Sequence, residues 1–162
     1  LGRAAWADCL PCWGGTYSTA AGAANASACR ACGTGKYQQD LGATASADCK
    51  LCPPGSYSTG TAQNDSATCV ACQPGRYQPS PGRTAASDCK PCRAGTYSPV
   101  FNATMEQTCA ACDEGTYQPR AGMTAPSDCV GCPPGTYSTA LGANRSAVCT
   151  PCASGRFQPT AG

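Results

Sequence analysis

The chain has 162 residues and a formal net charge of +2, and 16 of its residues are cysteine while only two are Phe, two Trp and two Met. Cysteine at about a tenth of a chain marks a disulfide scaffold, and the shortage of large apolar side chains excludes an ordinary globular core, so crosslinks must offset the conformational entropy of folding. Near-neutral charge without a basic run or an acidic tail excludes nucleic acid and anionic membrane as partners, and no apolar stretch approaches the ~20 residues of a membrane span.

Along the chain, residues 1–12 form a partial repeat that ends at Cys9 and Cys12, and from there Cys-x-x-Cys pairs recur every 20 residues, without insertion, to Cys149 and Cys152. The complete repeats are 13–32, 33–52, 53–72, 73–92, 93–112, 113–132 and 133–152, and residues 153–162 begin another. A glycine lies three residues after each second cysteine, from Gly15 and Gly35 to Gly155, and an aromatic follows two later, Tyr17 through Tyr137 and then Phe157. The glycine is expected to supply a positive-φ turn and the ring to cover the adjacent disulfide as the main apolar contact of the unit. Alternating fragments such as Gly-Thr-Tyr-Ser predict short β-ribbons, and the recurrent Gly and Pro leave little or no room for helix. The expected fold is therefore an elongated linear array of small disulfide-rich, EGF-like units in which each repeat rests on its neighbours. "LGRAAWADC" is in phase with "PGRTAASDC" at 81–89, and "GRFQPTAG" with "GRYQPSPG", so the chain reads as a window on a longer array.

A second period of 40 residues lies over the first. The residue after the aromatic is Ser18, Ser58, Ser98 and Ser138 in one set of repeats, and Gln38, Gln78, Gln118 and Gln158 in the other. Each Ser-type repeat carries one N-glycosylation sequon, at Asn25, Asn64, Asn102 and Asn144, and the Gln-type repeats carry none. The Gln-type sequences instead place Asp8, Asp48, Asp88 and Asp128 directly before a cysteine. The three complete Gln-type repeats hold twelve charged residues and the four Ser-type repeats five. One carboxylate per 40 residues cannot supply the ~6 to 8 oxygens of a calcium site, so these aspartates are read as acceptors for turn N–H groups.

Cys-x2-Cys-x16-Cys-x2-Cys also fits the spacing of a four-cysteine zinc site. No histidine is present, and the sequons imply an oxidising secretory route that favours disulfides. Redox use of a Cys-x-x-Cys would need one activated thiol in a thioredoxin-like setting, which this array does not repeat. The period admits three disulfide patterns. In the first, each second cysteine bonds the next first cysteine: Cys12–Cys29, Cys32–Cys49, Cys52–Cys69, Cys72–Cys89, Cys92–Cys109, Cys112–Cys129 and Cys132–Cys149, with Cys9 and Cys152 bonded to residues outside the chain. The second interlocks repeats as Cys9–Cys29 with Cys12–Cys32, and so on. The third closes each Cys-x-x-Cys on itself, which restrains little chain and ranks last. The first gives each Gly-x-Tyr turn its own loop, worth on the order of 3 kcal/mol, and is preferred; the second stays open.

The segments "CPPGSYSTGTAQNDSATCVAC" and "CPPGTYSTALGANRSAVCTPC" resemble the cysteine-rich repeats of Eph receptors and their ephrin-receptor-like relatives, and also TNF-receptor modules. The resemblance runs the whole chain and rests on Cys-Pro-Pro-Gly-x-Tyr-Ser with a distal Cys-x-x-Cys. It implies a disulfide-laddered extracellular rod in which the cysteine before Gly-x-Tyr closes a loop with the next distal cysteine, the first pattern above. The chain differs from those families in its uniform repeat length and its two-repeat alternation.

No catalytic constellation is visible: histidine is absent and the carboxylates recur with the array. No catalytic, cofactor-binding or metal-ligating residue is therefore assigned, and no cofactor is expected. Trp6 and Trp13 flank the first cysteine pair and have no aromatic counterpart in the later repeats. The expectation is a structural protein, secreted or at the cell surface: the shaft of a glycosylated filament or surface-coat fibre, with attached glycans and self-association as its partnerships. The alternative is the ectodomain stalk of a receptor or adhesin. Peptide mapping under non-reducing conditions separates the crosslink patterns, since a Cys12–Cys29 peptide is expected and a Cys12–Cys32 peptide, or zinc released by acid, refutes the ladder.

Overall fold

The computed structural model describes residues 9–162. Local structure in each repeat starts from the Cys-x-x-Gly stretch. In the first, Thr16 N–H donates to the Trp13 carbonyl at 3.1 Å, closing a four-residue turn around Gly15 at φ 84°. The Thr16 hydroxyl donates to the same carbonyl at 2.7 Å. The chain leaves this turn as Thr16–Tyr17 and returns as Arg30–Ala31, paired antiparallel. Between the two arms, a single 3-10 turn at Ala26–Ala28 delivers Cys29 to the ribbon, where it bonds Cys12 with their Cα atoms 5.6 Å apart. The described residues contain seven two-stranded sheets of this kind and no α-helix, because a Gly or Pro interrupts each repeat before helical turns can propagate.

Contacts divide the chain into two compact units, one drawing on the chain up to Val70 with Ser80–Asp88, the other comprising Ala71–Pro79 with Cys89–Gly162. Within the first unit, repeats join through backbone hydrogen bonds, to the next repeat and, at Gly42 to Cys12, to the next but one. Gly15 N–H donates to Gln38 C=O at 2.7 Å, Ser18 N–H to Ala43 C=O at 3.0 Å, and Gly42 N–H to Cys12 C=O at 2.7 Å. Tyr17 also forms a parallel bridge with Ala43. One repeat later the same register recurs as Gly35 to Ser58, Gln38 to Gln63, and Ala62 to Cys32. Within the second unit it recurs again, as Gly95 to Gln118, Ser98 to Met123, and Gly122 to Cys92.

The packing reaches beyond the adjacent repeat. A Cβ on Gly15 would lie 2.1 Å from the Ala62 carbonyl oxygen, and one on Gly35 2.5 Å from that of Gly82. In the second unit, Gly95 and Gly142 make the corresponding approach at 2.0 Å. These partners are 47 residues apart, so a repeat meets the next repeat but one, which extends the expectation of purely nearest-neighbour stacking. A second left-handed position, at Gly42, Ala62, Gly82, Asn102, Gly122 and Gly142, sits at the tip of each outer loop. At Gly82 a Cβ would fall 2.7 Å from Leu51 Cδ2, the end of a flexible side chain that would have to turn aside. Ala62 and Asn102, the two non-glycines with positive φ among the described residues, stand in the repeats whose counterpart of Leu51 is Ala31 or Ala71.

The interior is sulfur and small polar groups. Cys52, Cys92, Cys112 and Cys132 are wholly buried, and beside them lie Gln38, Ser58, Gln78, Ser98 and Gln118, each no more than 5% exposed. Tyr37 to Tyr117 are half-buried, while the residue after each is buried. Strand alternation puts the ring and its successor on opposite faces, and the hydroxyl of tyrosine favours the wet one.

Substitution of Gly95 by Ala adds a clash with a carbonyl to the strain of positive φ, whereas Gly135, at φ 81° with no atom within 4 Å of its would-be Cβ, adds strain alone. Gly135→Ala is expected to cost about 1 kcal/mol, and Gly95→Ala about 1–3 kcal/mol more. Unfolding midpoints of the two variants measure the difference, and equal values would contradict the close approach.

Candidate functional site

The outer loop of each repeat, between the ribbon arms, is where chemistry outside the scaffold can be carried. It is held in two ways, and these account for the 40-residue period. In Gln-type repeats the buried glutamine ties both ends of the loop: Gln38 Oε1 accepts from Asp40 N–H at 3.0 Å, and its Nε2 donates to Asp48 C=O at 2.7 Å. Gln118 does the same with Arg120 N–H at 2.9 Å and the Asp128 carbonyl. The aspartate before the cysteine then folds back to cap the loop. Asp48 Oδ2 accepts from Thr44 and Ala45 N–H at 2.8 and 2.9 Å, and Asp128 Oδ2 from Thr124 and Ala125 N–H, both at 2.9 Å. Asp88 accepts from Thr84 and Ala85 N–H at 3.0 Å.

These N–H groups hold the Asp88 and Asp128 carboxyls below their ordinary pKa. Thr84 is the leading cause for Asp88, followed by Ala85, with Arg83 adding a smaller favourable charge. Ala125 and then Thr124 act on Asp128. In both, two N–H donors stabilise the charged form. The aspartates are thus positioned as turn acceptors, and among the described residues no three His, Cys, Asp or Glu gather as metal ligands.

Ser-type repeats lack that aspartate and that glutamine. The serine hydroxyl makes a shorter tie, as in Ser98 Oγ accepting from Val100 N–H at 3.3 Å. Capping passes to the residue ahead of the 3-10 turn: Asn25 Oδ1 accepts from Ser27 N–H at 3.1 Å, and Asp65 Oδ1 from Ala67 N–H at 2.7 Å. With no glutamine and aspartate to constrain them, these loops accommodate the sequons. Asn25, Asn64, Asn102 and Asn144 are all exposed, at three different stations. Asn25 is the cap itself. Asn64 and Asn144 precede the caps Asp65 and Arg145, and Asn102 occupies the left-handed tip at φ 57°.

Seven disulfides join Cys12–Cys29, Cys32–Cys49, Cys52–Cys69, Cys72–Cys89, Cys92–Cys109, Cys112–Cys129 and Cys132–Cys149, each spanning 17 residues. Cys9 and Cys152 have no disulfide partner within the chain, the former exposed and the latter half-buried. Trp6 and Asp8 lie outside the described residues. Trp13 is 61% exposed and lines a cavity of about 540 Å³ with Leu10, Pro11 and the Cys12–Cys29 pair, whose lining has no charged side chain. No helix of the described residues is long and apolar enough to cross a membrane.

Two features escaped the sequence reading. The left-handed loop tip was signalled by glycines at 22, 42, 82, 122, 142 and 162, masked by Ala62 and Asn102. The Gln38–Asp48 tie was signalled by the strict co-occurrence of the two residue types in alternate repeats.

The repeating ribbon, staple and loop define a class of small disulfide-laddered, cysteine-rich repeat. The family model described as tyrosine-protein kinase ephrin type A/B receptor-like matches residues 2–49 and 100–147, more than half of the chain, and the chain belongs to that family. Repeats of this kind form a receptor-type module of the extracellular or secreted class, structural in character and not catalytic. Among curated proteins, the chain matches none.

The depressed pKa of Asp128 fixes the sign of its pH dependence. A carboxyl more acidic folded than unfolded contributes stability above its unfolded pKa and loses it as pH falls through the folded value. Thr124 and Ala125 amides should therefore stay protected from exchange at neutral pH and open on acidification below the ordinary carboxylate range. Asp128→Ala should open them at every pH. Protection factors, taken against the intrinsic exchange rate at each pH, that ignore both pH and the substitution would contradict the cap.

Proposed function

We propose that the chain is the structural shaft of an extracellular, glycan-coated filament or surface-coat fibre built from disulfide-laddered repeats. The supporting observation is the sameness of the step between repeats. Within each unit the same backbone donors meet the same acceptors at 2.7–3.1 Å, as in Gly42 to Cys12 and Gly162 to Cys132. Backbone contacts of this kind constrain the glycines and small residues at the step and little else, so repeats add in register while their outer loops vary. Identical neighbours along a fibre require such uniformity, and a single ligand site would interrupt it.

In this reading Asn25, Asn64, Asn102 and Asn144 carry N-linked glycans that shield the shaft from proteases and unwanted adhesion. The Gln-type repeats, with Lys36, Arg76 and Lys90, provide the ionic surface for self-association. A second reading, the ectodomain stalk of a cell-surface receptor or adhesin, is favoured by membership of the ephrin-receptor-like family. Negative-stain imaging of native material discriminates them: long uniform fibres are expected, and dispersed short particles that bind one soluble protein tightly at a single repeat would transfer the function to the receptor stalk.

A further inference from the structure

We propose that a glycan on Asn102 serves as the cover of an apolar patch formed by Val100, Phe101 and Met105, an inference that rests on the reading of the sequons as glycosylated. These three side chains are 44%, 61% and 52% exposed and fall within six residues of one outer loop. No other described outer loop carries such a group: Leu41 and Leu141 are the only other large apolar side chains exposed in theirs, and single exposed leucines are ordinary on protein surfaces. Three exposed apolar side chains in one six-residue stretch are a local concentration that the other described loops lack, and apolar surface gathered in one place marks a contact site.

The loop cannot cover them by rearranging. Its backbone is pinned on both sides of the sequon asparagine, where Asn102 N–H donates to Cys72 C=O at 3.0 Å and Ala103 C=O accepts from Gln78 N–H at 2.9 Å. Ala103 is itself only 2% exposed. Asn102 stands inside the patch, next to Phe101, with its side chain exposed. It differs from Asn25, whose Oδ1 is engaged by Ser27 N–H. Thr104, the hydroxyl residue of the sequon, lies between the patch residues Phe101 and Met105. The occupant committed here is the first sugar of an N-linked chain. Its C–H face suits an aromatic and aliphatic surface while its hydroxyls face water, the same division of apolar body and polar rim that interfacial aromatics use. Asparagine is also the residue that reconciles the tip geometry with a carbohydrate acceptor, since it tolerates φ > 0 better than other non-glycine side chains.

The test uses the full chain secreted from eukaryotic cells, with glycopeptide mass spectrometry and binding of the dye ANS as readouts. Asn102→Gly removes the sequon while keeping a residue that the same position holds at φ 69° in Gly82 and 78° in Gly122. Thr104→Ala removes it with Asn102 in place. Both variants should show ANS fluorescence several-fold above the parent, and Phe101→Ser added to either should bring it back. Asn64→Gln, in the loop Gly-Thr-Ala-Gln-Asn-Asp without large apolar groups, should lose its glycan with no change in ANS. An unoccupied Asn102 beside glycosylated Asn25, Asn64 and Asn144 would overturn this inference alone. Four unoccupied sequons would overturn the glycan reading with it. Occupied Asn102 with unchanged dye binding in both variants would show that the sugar does not cover the patch.

Discussion

Each 20-residue unit places a disulfide where a larger protein would place a hydrophobic cluster. Cys32, Cys52, Cys72, Cys92, Cys112 and Cys132 are at most 1% exposed, and the bonds they make close loops of 17 residues. Closing a loop of that length removes on the order of 3 kcal/mol of denatured-chain freedom, enough for a two-residue ribbon and one 3-10 turn to persist. Without it, neither element has the length or the apolar face to stand alone. The turn, the ribbon and the loop cap are all arranged around that bond.

Because the core is so thin, repeats join through backbone. The donors and acceptors left free by a two-residue ribbon are taken up by neighbouring repeats, as when Ser18 N–H donates to Ala43 C=O at 3.0 Å in the next repeat and Cys52 C=O accepts from Gly82 N–H at 2.8 Å in the next but one. This satisfies groups that would otherwise be buried unpaired. It also requires main chain to approach main chain, which is why Gly35 stands against the carbonyl of Gly82. The constraint falls on glycine and on small residues, and it leaves the outward side chains free to change.

That freedom is used in an ordered way. Gln-type loops are tied at both ends through glutamine and aspartate. Ser-type loops are tied at one end, and in the repeats of Asn25 and Asp65 they are also capped by their own asparagine or aspartate. The first arrangement commits its polar side chains to the scaffold. The second leaves an asparagine exposed, at the cap, just before it, or at the left-handed tip. The two repeat types thus differ in how each loop satisfies its N–H groups.

The sequence by itself determined the 20-residue unit, the glycine turn, the short ribbons and the alternation of Ser18-type and Gln38-type repeats, because each is a local consequence of residue type at fixed spacing. Its reading of Asp48 and Asp128 as turn acceptors was also local, since an aspartate three or four residues after two N–H groups can reach them. The burial of Gln38 in preference to Tyr37 was decided only in the tertiary structure, where the adjoining repeats enclose one face of the ribbon and leave the other to water. So was the approach of Gly95 to Gly142. A period states that repeats are alike, but the number of residues by which one is offset on another depends on the direction of backbone hydrogen bonds, and that is fixed only when the chains meet.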